Sequence, residues 1–297
     1  MKVMRFLCVM AIVLGPAVLP VLAEGGQTQP AASQTQPAAP KVETTATTAK
    51  FDPAKSDEKA TAIVDKVVAA MGGAAWDHAR FIKFTFVVKR GEVRQNVRTH
   101  YWDRYGQRSR MEGPSKDGKP VVAIADHRTK EGQATLDGQL LFDKDAKKYI
   151  DIAYGALIND SYWLFMQFKL KDPGVRLRYE GEKKAGPVTY DMVLVSFDDG
   201  IGITSKDRYW LYINRDSKLI ERWSYVLEGQ GASASPTAWQ WVDWSTVAGM
   251  KLALRKTQPE GEAEILLEDV RVLDSLPEST FTSTAPVDLA GTNAAAQ

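Results

Sequence analysis

Cysteine and histidine are the scarcest chemistry-bearing residues of this 297-residue chain, with one and three copies respectively. The single cysteine, Cys8, has no second thiol with which to form an intrachain disulfide or a thiolate metal site. His78, His100 and His127 stand apart and outside any His-Glu-x-x-His arrangement, so we expect surface histidines, no metal and no cofactor. Stability must therefore come from an apolar core.

An excess of charge of either sign is also missing. The 38 lysines and arginines balance 37 aspartates and glutamates, for a net charge of +1 at pH 7. Without a broad electrostatic field, the chain has no general attraction for nucleic acid or for an anionic membrane surface. We therefore expect no nucleic-acid partner.

The signatures of common enzymes are absent as well. The chain has no Gly-x-Ser-x-Gly elbow, and Gly200-Ile-Gly202 lacks the third glycine and the helix of a dinucleotide fingerprint. Two distant carboxylates can still meet as an acid–base pair, although no spacing selects two of the candidates Asp160, Asp191, Asp207 and Asp243. A hydrolase is therefore the least favoured class, and a protein without enzymatic activity is expected.

Long apolar runs are confined to the start of the chain. The run Phe6–Leu22 follows Lys2 and Arg5 and precedes a small-residue site at Ala23, which is the pattern of a secretory signal peptide. We expect residues 1–23 to be removed by cleavage near Ala23 and the mature chain to be exported to the periplasm. A membrane anchor is the alternative interpretation of this run.

Both flanks of the predicted domain have low complexity. Within residues 24–51, the heptapeptide Gln27–Ser33 is nearly repeated at Gln34–Pro40, with almost no large apolar residue. Such a composition cannot offset the entropy of ordering, which predicts a disordered linker. The small and polar residues 283–297 are likewise predicted to be a disordered tail. One folded domain is expected between them, across residues 52–282.

An amphipathic helix is predicted from Ser56 to Gly73. Ser56 is a suitable N-terminal cap, and the Gly72-Gly73 pair is a stop signal. Its apolar face must cover something apolar; ordinary core packing is one interpretation, and a lid over the concave face of a sheet is the other. The residues of that lid would be Ile63, Val64, Val67 and Met71.

The rest of the domain shows mainly strand patterns, clearest between Pro187 and Leu273, where branched and aromatic runs alternate with short polar turns. We count about ten or eleven strands, including short ones at Leu140–Phe142 and Tyr149–Ile152, and a short helix that starts at Tyr162. The predicted fold is mainly β (α+β), a single strongly curved antiparallel sheet or open half-barrel. One long N-terminal helix and one short helix are expected to cover its concave apolar face.

The order of these elements resembles a known family. A leader, a helix and a strand near Phe81 are followed by Asn159-Asp160-x-Tyr162-Trp163, Tyr209-x-Leu211-Tyr212-Ile213-Asn214, Trp241-x-Asp243-Trp244, Gly249-Met250-Lys251-Leu252 and a closing Leu276–Phe281. The chain from about Ala60 to Phe281 is similar to the periplasmic outer-membrane lipoprotein carrier and sorting proteins of the Lol type, in the broad sense that includes uncharacterised relatives.

The resemblance implies an open, strongly curved antiparallel sheet whose helices cover an apolar cavity for acyl chains. It thus implies a monomeric carrier for a lipid or an acylated protein, which moves its cargo without chemistry. We expect the cavity to be lined by Phe84, Phe86, Tyr162, Trp163, Phe165, Trp223, Tyr225, Trp239 and Trp241. The alternative is an interaction module whose aromatic sheet face docks on another cell-envelope protein.

Overall fold

The computed structural model describes residues 50–231, 233–259, 261 and 263–294. The predicted signal peptide, residues 1–23, and nearly all of the predicted linker lie outside these residues.

One antiparallel sheet dominates the described part of the chain, which contains thirteen strands. The strands are β1 (Phe81–Arg90), β2 (Val93–Asp103), β3 (Arg108–Pro114), β4 (Pro120–Asp126), β5 (Gly132–Leu136), β6 (Gln139–Leu140), β7 (Val175–Ala185), β8 (Val188–Phe197), β9 (Arg208–Asn214), β10 (Ile220–Val226), β11 (Thr237–Val247), β12 (Met250–Thr257) and β13 (Ala263–Leu273).

Two meanders meet in the middle of this sheet, whose order is β6-β5-β4-β3-β2-β1-β13-β12-β11-β10-β9-β8-β7. The first meander runs outward from β1 to β6, and the second returns from β7 to β13. They join where Phe86 of β1 pairs with Leu267 of β13. Because β6 and β7 are separate edges, the sheet is open, which confirms the prediction of a mainly β, open antiparallel fold.

The described part of the chain has thirteen strands against the expected ten or eleven, and edge strand β7 is one that the sequence analysis does not predict. Its residues include Arg176, Arg178, Glu180, Glu182 and Lys183, and most of them are exposed. Edge strands carry charge because their free backbone groups would otherwise pair with other chains. Apolar residues alternate with charged ones only in its first half, at Val175, Leu177 and Tyr179, so the apolar pattern of β7 is shorter than that of the inner strands.

Three α-helices accompany the sheet in the described residues: α1 (Glu58–Ala70), α2 (Gly73–His78) and α3 (Asp143–Phe165). Short 3-10 turns lie at Pro53–Lys55, Met166–Phe168, Glu228–Gln230 and Glu278–Phe281. With 23 residues and a length of about 34 Å, α3 links the two edges of the sheet. No helix in the described part of the chain is long and apolar enough to cross a membrane.

The expected helix lengths are reversed, because α3 is the long helix and begins nineteen residues before the predicted start at Tyr162. The residues predicted as a strand, Tyr149–Ile152, belong to α3. Ile150, Ala153 and Leu157 are buried at helical spacing, and Asp143 and Asp145 lie in the first turn, where negative charge suits the helix dipole. The strand preference of tyrosine and isoleucine is weak enough for this packing to override it.

The start of α1 is anchored differently from the prediction. Ser56 does not cap the helix; its Oγ accepts a hydrogen bond from the Leu177 N–H at 3.0 Å. The Asp57 carboxylate accepts one from the Tyr179 N–H at 2.8 Å. Ser56 and Asp57 therefore bind backbone N–H groups along the free edge of β7, which would otherwise be unpaired.

Residues 283–294 pack on the protein, whereas the sequence predicts a disordered tail from Ser283 onward. Arg110, only 1% exposed, donates hydrogen bonds to the Ser283 and Ala285 carbonyls at 2.6 and 2.7 Å. Val287 and Leu289 pack against a small apolar cluster on the outer face of the sheet. The hydrogen bonds that hold the tail to Arg110 are made by its backbone carbonyl groups. Such contacts leave no apolar pattern in the sequence.

The main core lies on the inner face of the sheet, beneath α1, α2 and α3. Val64, Val67 and Met71 of the N-terminal segment are completely buried in it, and Ile63 packs against it half-exposed. From α3, Trp163 inserts among the aromatic side chains of β10 and β11. The inner face is therefore filled by side chains over much of its area, and a cavity opens to one side of α3.

Candidate functional site

A cavity of about 400 Å³ opens beside α3. Its walls come from one face of α3, the turn before β7, the loop between β8 and β9, and two residues of the β2–β4 region. The lining residues are Trp102, His127, Tyr154, Gly155, Leu157, Ile158, Asn159, Ser161, Tyr162, Lys169, Asp172, Pro173, Val175, Phe197, Ile201, Gly202, Ile203, Thr204, Asp207 and Tyr209. Most are apolar or aromatic, and the volume lies in the usual range of ligand pockets, about 300–1,000 Å³.

Curvature of the sheet brings the cavity walls together. Trp102 of β2 and Tyr209 of β9 line the same space, although six inter-strand steps separate their strands. In a flat sheet those steps would place the two strands roughly 29 Å apart. The sheet is therefore curved, as the sequence predicts, and it bends around α3.

The α3 face toward the cavity has a regular spacing. Tyr154, Leu157, Ile158, Ser161 and Tyr162 follow one another at positions i, i+3, i+4, i+7 and i+8, which is a single stripe of a helix. The stripe presents aromatic and aliphatic side chains with one small hydroxyl. Such a wall favours an apolar chain over a charged or strongly polar ligand.

The loop that joins β8 to β9 forms the outer wall. Ile201 and Ile203 in this loop are 36% and 38% exposed, which is unusual for isoleucine. Ile201 packs directly on Gly174, where an added Cβ would collide with its Cγ1. Gly174 also has a φ of +79°, a conformation that side chains disfavour. The loop thus packs on a position of the facing turn that has no side chain.

The contact between Ile201 and Gly174 leads to a testable prediction. Replacing Gly174 by alanine should lower the free energy of unfolding by about 2 kcal/mol, because the new Cβ adds backbone strain and displaces Ile201. Gly200→Ala is the matched control, since Gly200 has the same φ of +79° with nothing near its added Cβ. Chemical denaturation of both variants should show the larger loss in Gly174→Ala. Equal losses would mean that the Ile201 contact contributes nothing.

The acidic residue of the cavity wall is held by its own hydrogen bonds. Asp207 accepts from the Thr204 hydroxyl at 2.7 Å, the Tyr209 hydroxyl at 3.1 Å and the Glu228 N–H at 2.8 Å. Burial raises the pKa of Asp207 above its usual value, against the lowering effect of these donors. The carboxyl thereby stabilises the wall, and its oxygens are already engaged.

The other titratable side chains of the cavity wall are either neutral at pH 7 or paired. Burial lowers the pKa of His127 to about 4, and its Nε2 lies 2.8 Å from the Ser109 hydroxyl. Burial likewise raises the pKa of Tyr162 far above its usual value, so its hydroxyl stays protonated. At the rim, Lys169 pairs with Asp172. Apart from the hydrogen-bonded carboxyl of Asp207, the described lining groups are thus neutral or paired.

A buried ion-pair cluster fastens α3 to the sheet. Asp160 of α3, fully buried, is bound by the Arg98 guanidinium through two hydrogen bonds of 2.7 Å and lies 2.7 Å from His100 Nε2. Burial alone would raise the pKa of Asp160, but Arg98 and His100 lower it to about 2. We call Arg98, His100 and Asp160 the clasp, because it joins β2 to the middle of α3.

Each carboxylate considered as a catalytic candidate has a different set of partners. Asp160 belongs to the clasp, and Asp207 to the cavity wall. Asp191 binds the Tyr179 hydroxyl and Arg215, each at 3.1 Å. Asp243 is exposed and paired with Arg255 at 2.7 Å. The structure thus pairs none of these four candidates with another of the four. Among the described residues, no group of three or more His, Cys, Asp or Glu side chains is placed to hold a metal ion.

The residues predicted to line a cavity occupy two different places. Tyr162 lines it. The other eight lie on the inner face and pack against one another in the main core, with exposures between 0 and 3%: Phe84, Phe86, Trp163, Phe165, Trp223, Tyr225, Trp239 and Trp241. The two sets are in contact, since Tyr162 stacks on Trp223 with ring centres 6.1 Å apart.

Sequence reasoning missed the residues that shape the opening. Ile201 and Ile203 lie in a glycine-containing loop, and the sequence analysis considers its Gly200-Ile-Gly202 segment only as an incomplete dinucleotide fingerprint. His100 and His127 were expected at the surface, but His100 is fully buried and His127 lines the cavity. Two isoleucines in a glycine-containing loop are a sequence signal that could have indicated an apolar wall there. Nothing in the sequence indicates that His100 and Asp160 are in contact.

The fold and the site define an open antiparallel sheet that bends around a helix beside an apolar cavity. No family model and no curated protein matches the chain. Solved structures that are similar include a DUF1329 family protein from Desulfovibrio piger, at 12% identity and a TM-score of 0.43, covering 77% of this chain and 99% of that one. Two others have names from the family that the sequence resembles.

One of these two is a LolA superfamily protein from Nitrosomonas europaea, at 12% identity and a TM-score of 0.39, covering 75% of this chain and 97% of that one. The other is described as an outer membrane lipoprotein-sorting protein domain from Vibrio parahaemolyticus, at 11% identity and a TM-score of 0.42, covering 75% and 96%. At these values the likeness carries no argument about activity, so the function must be argued from the cavity itself.

Proposed function

We propose that this chain is an exported, monomeric and non-enzymatic carrier that binds a lipid or the acyl chain of a lipid-modified protein. The observation that carries the proposal is the cavity beside α3, with a volume of about 400 Å³ and a lining of mostly apolar side chains. Its titratable groups are neutral, paired or, at Asp207, held by three hydrogen bonds. Burying an acyl chain there is favourable by about 0.8 kcal/mol for each methylene group. Residues 52–282 form the carrier domain in this proposal, with residues 283–294 as a strap on its outer face.

Release of the cargo requires a wall of the cavity to move. The loop between β8 and β9 and helix α3 are the two candidates. The loop is tied at both ends, since Asp198 pairs with Arg176 and Asp207 accepts a hydrogen bond from the Glu228 N–H. Between these ends Ile201 packs on Gly174, whereas α3 is fastened by the clasp. We propose that the loop admits the chain and that α3, with the N-terminal helix beside it, gates the deeper part of the inner face.

Native mass spectrometry of the mature protein, purified from its exported compartment, tests this function directly. We expect a bound phospholipid, fatty acid or acylated peptide at a ratio near one to one, and solvent extraction would identify its class. A protein that carries no lipid and also fails to take up a fluorescent fatty acid would contradict the proposal.

A second candidate function is docking on another cell-envelope protein. The outer face of the sheet carries half-buried Tyr190, Trp210 and Tyr212, and the Arg208 guanidinium lies 5.4 Å from the Trp210 ring centre. Aromatic and arginine side chains are enriched in protein interfaces. A stable complex from envelope extract that is lost in a Trp210→Ser/Tyr212→Ser variant, with no lipid in the purified protein, would favour this candidate.

A further inference from the structure

A buried lysine on the inner face of the sheet has no negative partner among the described residues. Lys256 of β12 is 0% exposed, and among the described residues no carboxylate lies within ion-pair distance of its ammonium group. Its Nζ donates to the Ala253 carbonyl at 2.6 Å and lies 4.2 Å from the centre of the Trp241 ring. Buried lysines are normally paired, because a lone ammonium is poorly solvated in a core. Burial accordingly lowers the pKa of Lys256 well below its usual value.

Three indole groups in the same region have no hydrogen-bond acceptor among the described residues. The Nε1 atoms of Trp163, Trp223 and Trp241 are buried and have no partner among the described residues. The neighbouring Trp239 differs, since its Nε1 donates to the Tyr225 hydroxyl at 3.3 Å. Buried donors are nearly always paired, so three unpaired indoles in one cluster require an explanation.

These donors belong to one continuous patch. Trp241 and Lys256 are cross-strand partners in adjacent strands β11 and β12. The ring centres of Trp241 and Trp223 are 5.7 Å apart, and those of Trp223 and Trp163 are 4.7 Å apart. We call Lys256, Trp241, Trp223 and Trp163 the donor patch. Every unsatisfied group in it is a donor, so the missing chemical component is an acceptor.

The donor patch adjoins the cavity. Tyr162 lines the cavity with one side of its ring and stacks on Trp223 of the patch, 6.1 Å away. The next residue of α3, Trp163, belongs to the patch itself and contacts Trp223. A small movement of this segment of α3 would therefore join the apolar cavity to the donors, in an order that suits an amphiphile with its chain in the cavity and its head on the patch.

We propose that the donor patch is the head-group subsite of the carrier and that it selects amphiphiles with a carboxylate head, such as a long-chain fatty acid. The inference rests on the proposed carrier function and specifies its ligand. A carboxylate supplies two acceptor oxygens with about four lone-pair sites for the indoles, and one negative charge for the Lys256 ammonium. An ester or alcohol would supply acceptors without that charge and would leave the lysine unpaired.

Binding of palmitate and of hexadecanol to the full mature protein tests the subsite, because the two probes share a chain and differ in the head. We expect the wild-type protein to bind palmitate at least tenfold more tightly. Lys256→Met keeps the length of the side chain and removes the amine, so it should abolish this preference while hexadecanol affinity stays within twofold. Lys251→Met is the matched control, because Lys251 is exposed on the same strand and should leave the preference intact.

The wild-type protein alone provides a second readout that does not depend on folding of the variant. In protein with ¹⁵N-labelled indoles, palmitate should shift the N–H signals of Trp163, Trp223 and Trp241, whereas that of Trp210 on the outer face should stay in place. Tight palmitate binding with unchanged indole signals, or an undiminished preference in Lys256→Met, would overturn the subsite and leave the carrier function standing. Failure of the wild-type protein to bind either probe would overturn both proposals.

Discussion

Ile158→Glu should reduce the affinity for a fluorescent fatty acid by at least a hundredfold while the protein remains folded. Ile158 lies on the α3 stripe that lines the cavity and is only half-buried, so a glutamate there keeps access to water in the empty protein. An acyl chain that enters the cavity would strip that water from the carboxylate, which is costly without a compensating partner. A hundredfold loss of affinity corresponds to about 2.7 kcal/mol.

Ile152→Glu is the matched control for this experiment. Ile152 is on the same helix, 39% exposed, and does not line the cavity. The same substitution therefore places the same charge on α3 without touching the proposed binding space. Comparable losses of affinity in the two variants, or unchanged uptake in a folded Ile158→Glu protein, would count against the cavity as the lipid site.

Asp160→Asn should lower the free energy of unfolding by about 3 kcal/mol at pH 7. Asp160 is the carboxylate of the clasp, and its replacement removes the negative charge that Arg98 and His100 contact at a buried position. Breaking a buried ion pair from one side typically costs about 3–5 kcal/mol, and the partial exposure of Arg98 argues for the lower end. Chemical denaturation of the two proteins measures the difference.

The matched control for the clasp is Asp243→Asn. Asp243 forms an exposed ion pair with Arg255, and exposed pairs are worth less than about 1 kcal/mol. A loss in Asp160→Asn that is no larger than the loss in Asp243→Asn would show that the clasp does not hold α3.

The stabilising effect of Asp160 should depend on pH with a definite sign. Its pKa is about 2 in the folded protein, below the ordinary value of 3.8, so the charged form is favoured by folding. The contribution is thus complete above about pH 4 and is lost as the pH falls towards 2. The gap between these pKa values corresponds to roughly 2 kcal/mol. The stability difference between wild-type protein and Asp160→Asn should shrink by that amount over this window, and a constant difference would contradict the assignment.

The inner-face aromatics illustrate how far the sequence could be interpreted. Alternation along β10 and β11 places Trp223 with Tyr225, and Trp239 with Trp241, on one face each, and the structure puts all four on the inner face. The alternation does not show whether these four side chains line a cavity or fill the core. Whether a large side chain lines a space or fills it depends on what packs opposite, and here Trp163 of α3 occupies the space between them.

Helix α3 shows the opposite case, in which local preference misleads. Tyr149–Ile152 have strand-forming side chains, and Gly155 and Ser161 are poor helix formers, so the sequence predicts a strand followed by a short helix. In the structure one helix runs from Asp143 to Phe165, because burial of its apolar stripe against β3, β4 and β5 outweighs these preferences. The path of α3 across the sheet then decides where the cavity lies.

The sequence by itself determined the mainly β class, the antiparallel order of neighbouring strands and the faces of the inner strands, because alternation and turn residues act over short distances. The tertiary structure alone decided that the sheet bends around α3, that the predicted lining is largely core, and that the open space lies under Ile201 and Ile203. It also brought Lys256 beside three indoles and Asp160 beside Arg98 and His100. These are contacts between residues far apart in the chain, and only the folded backbone sets their distances.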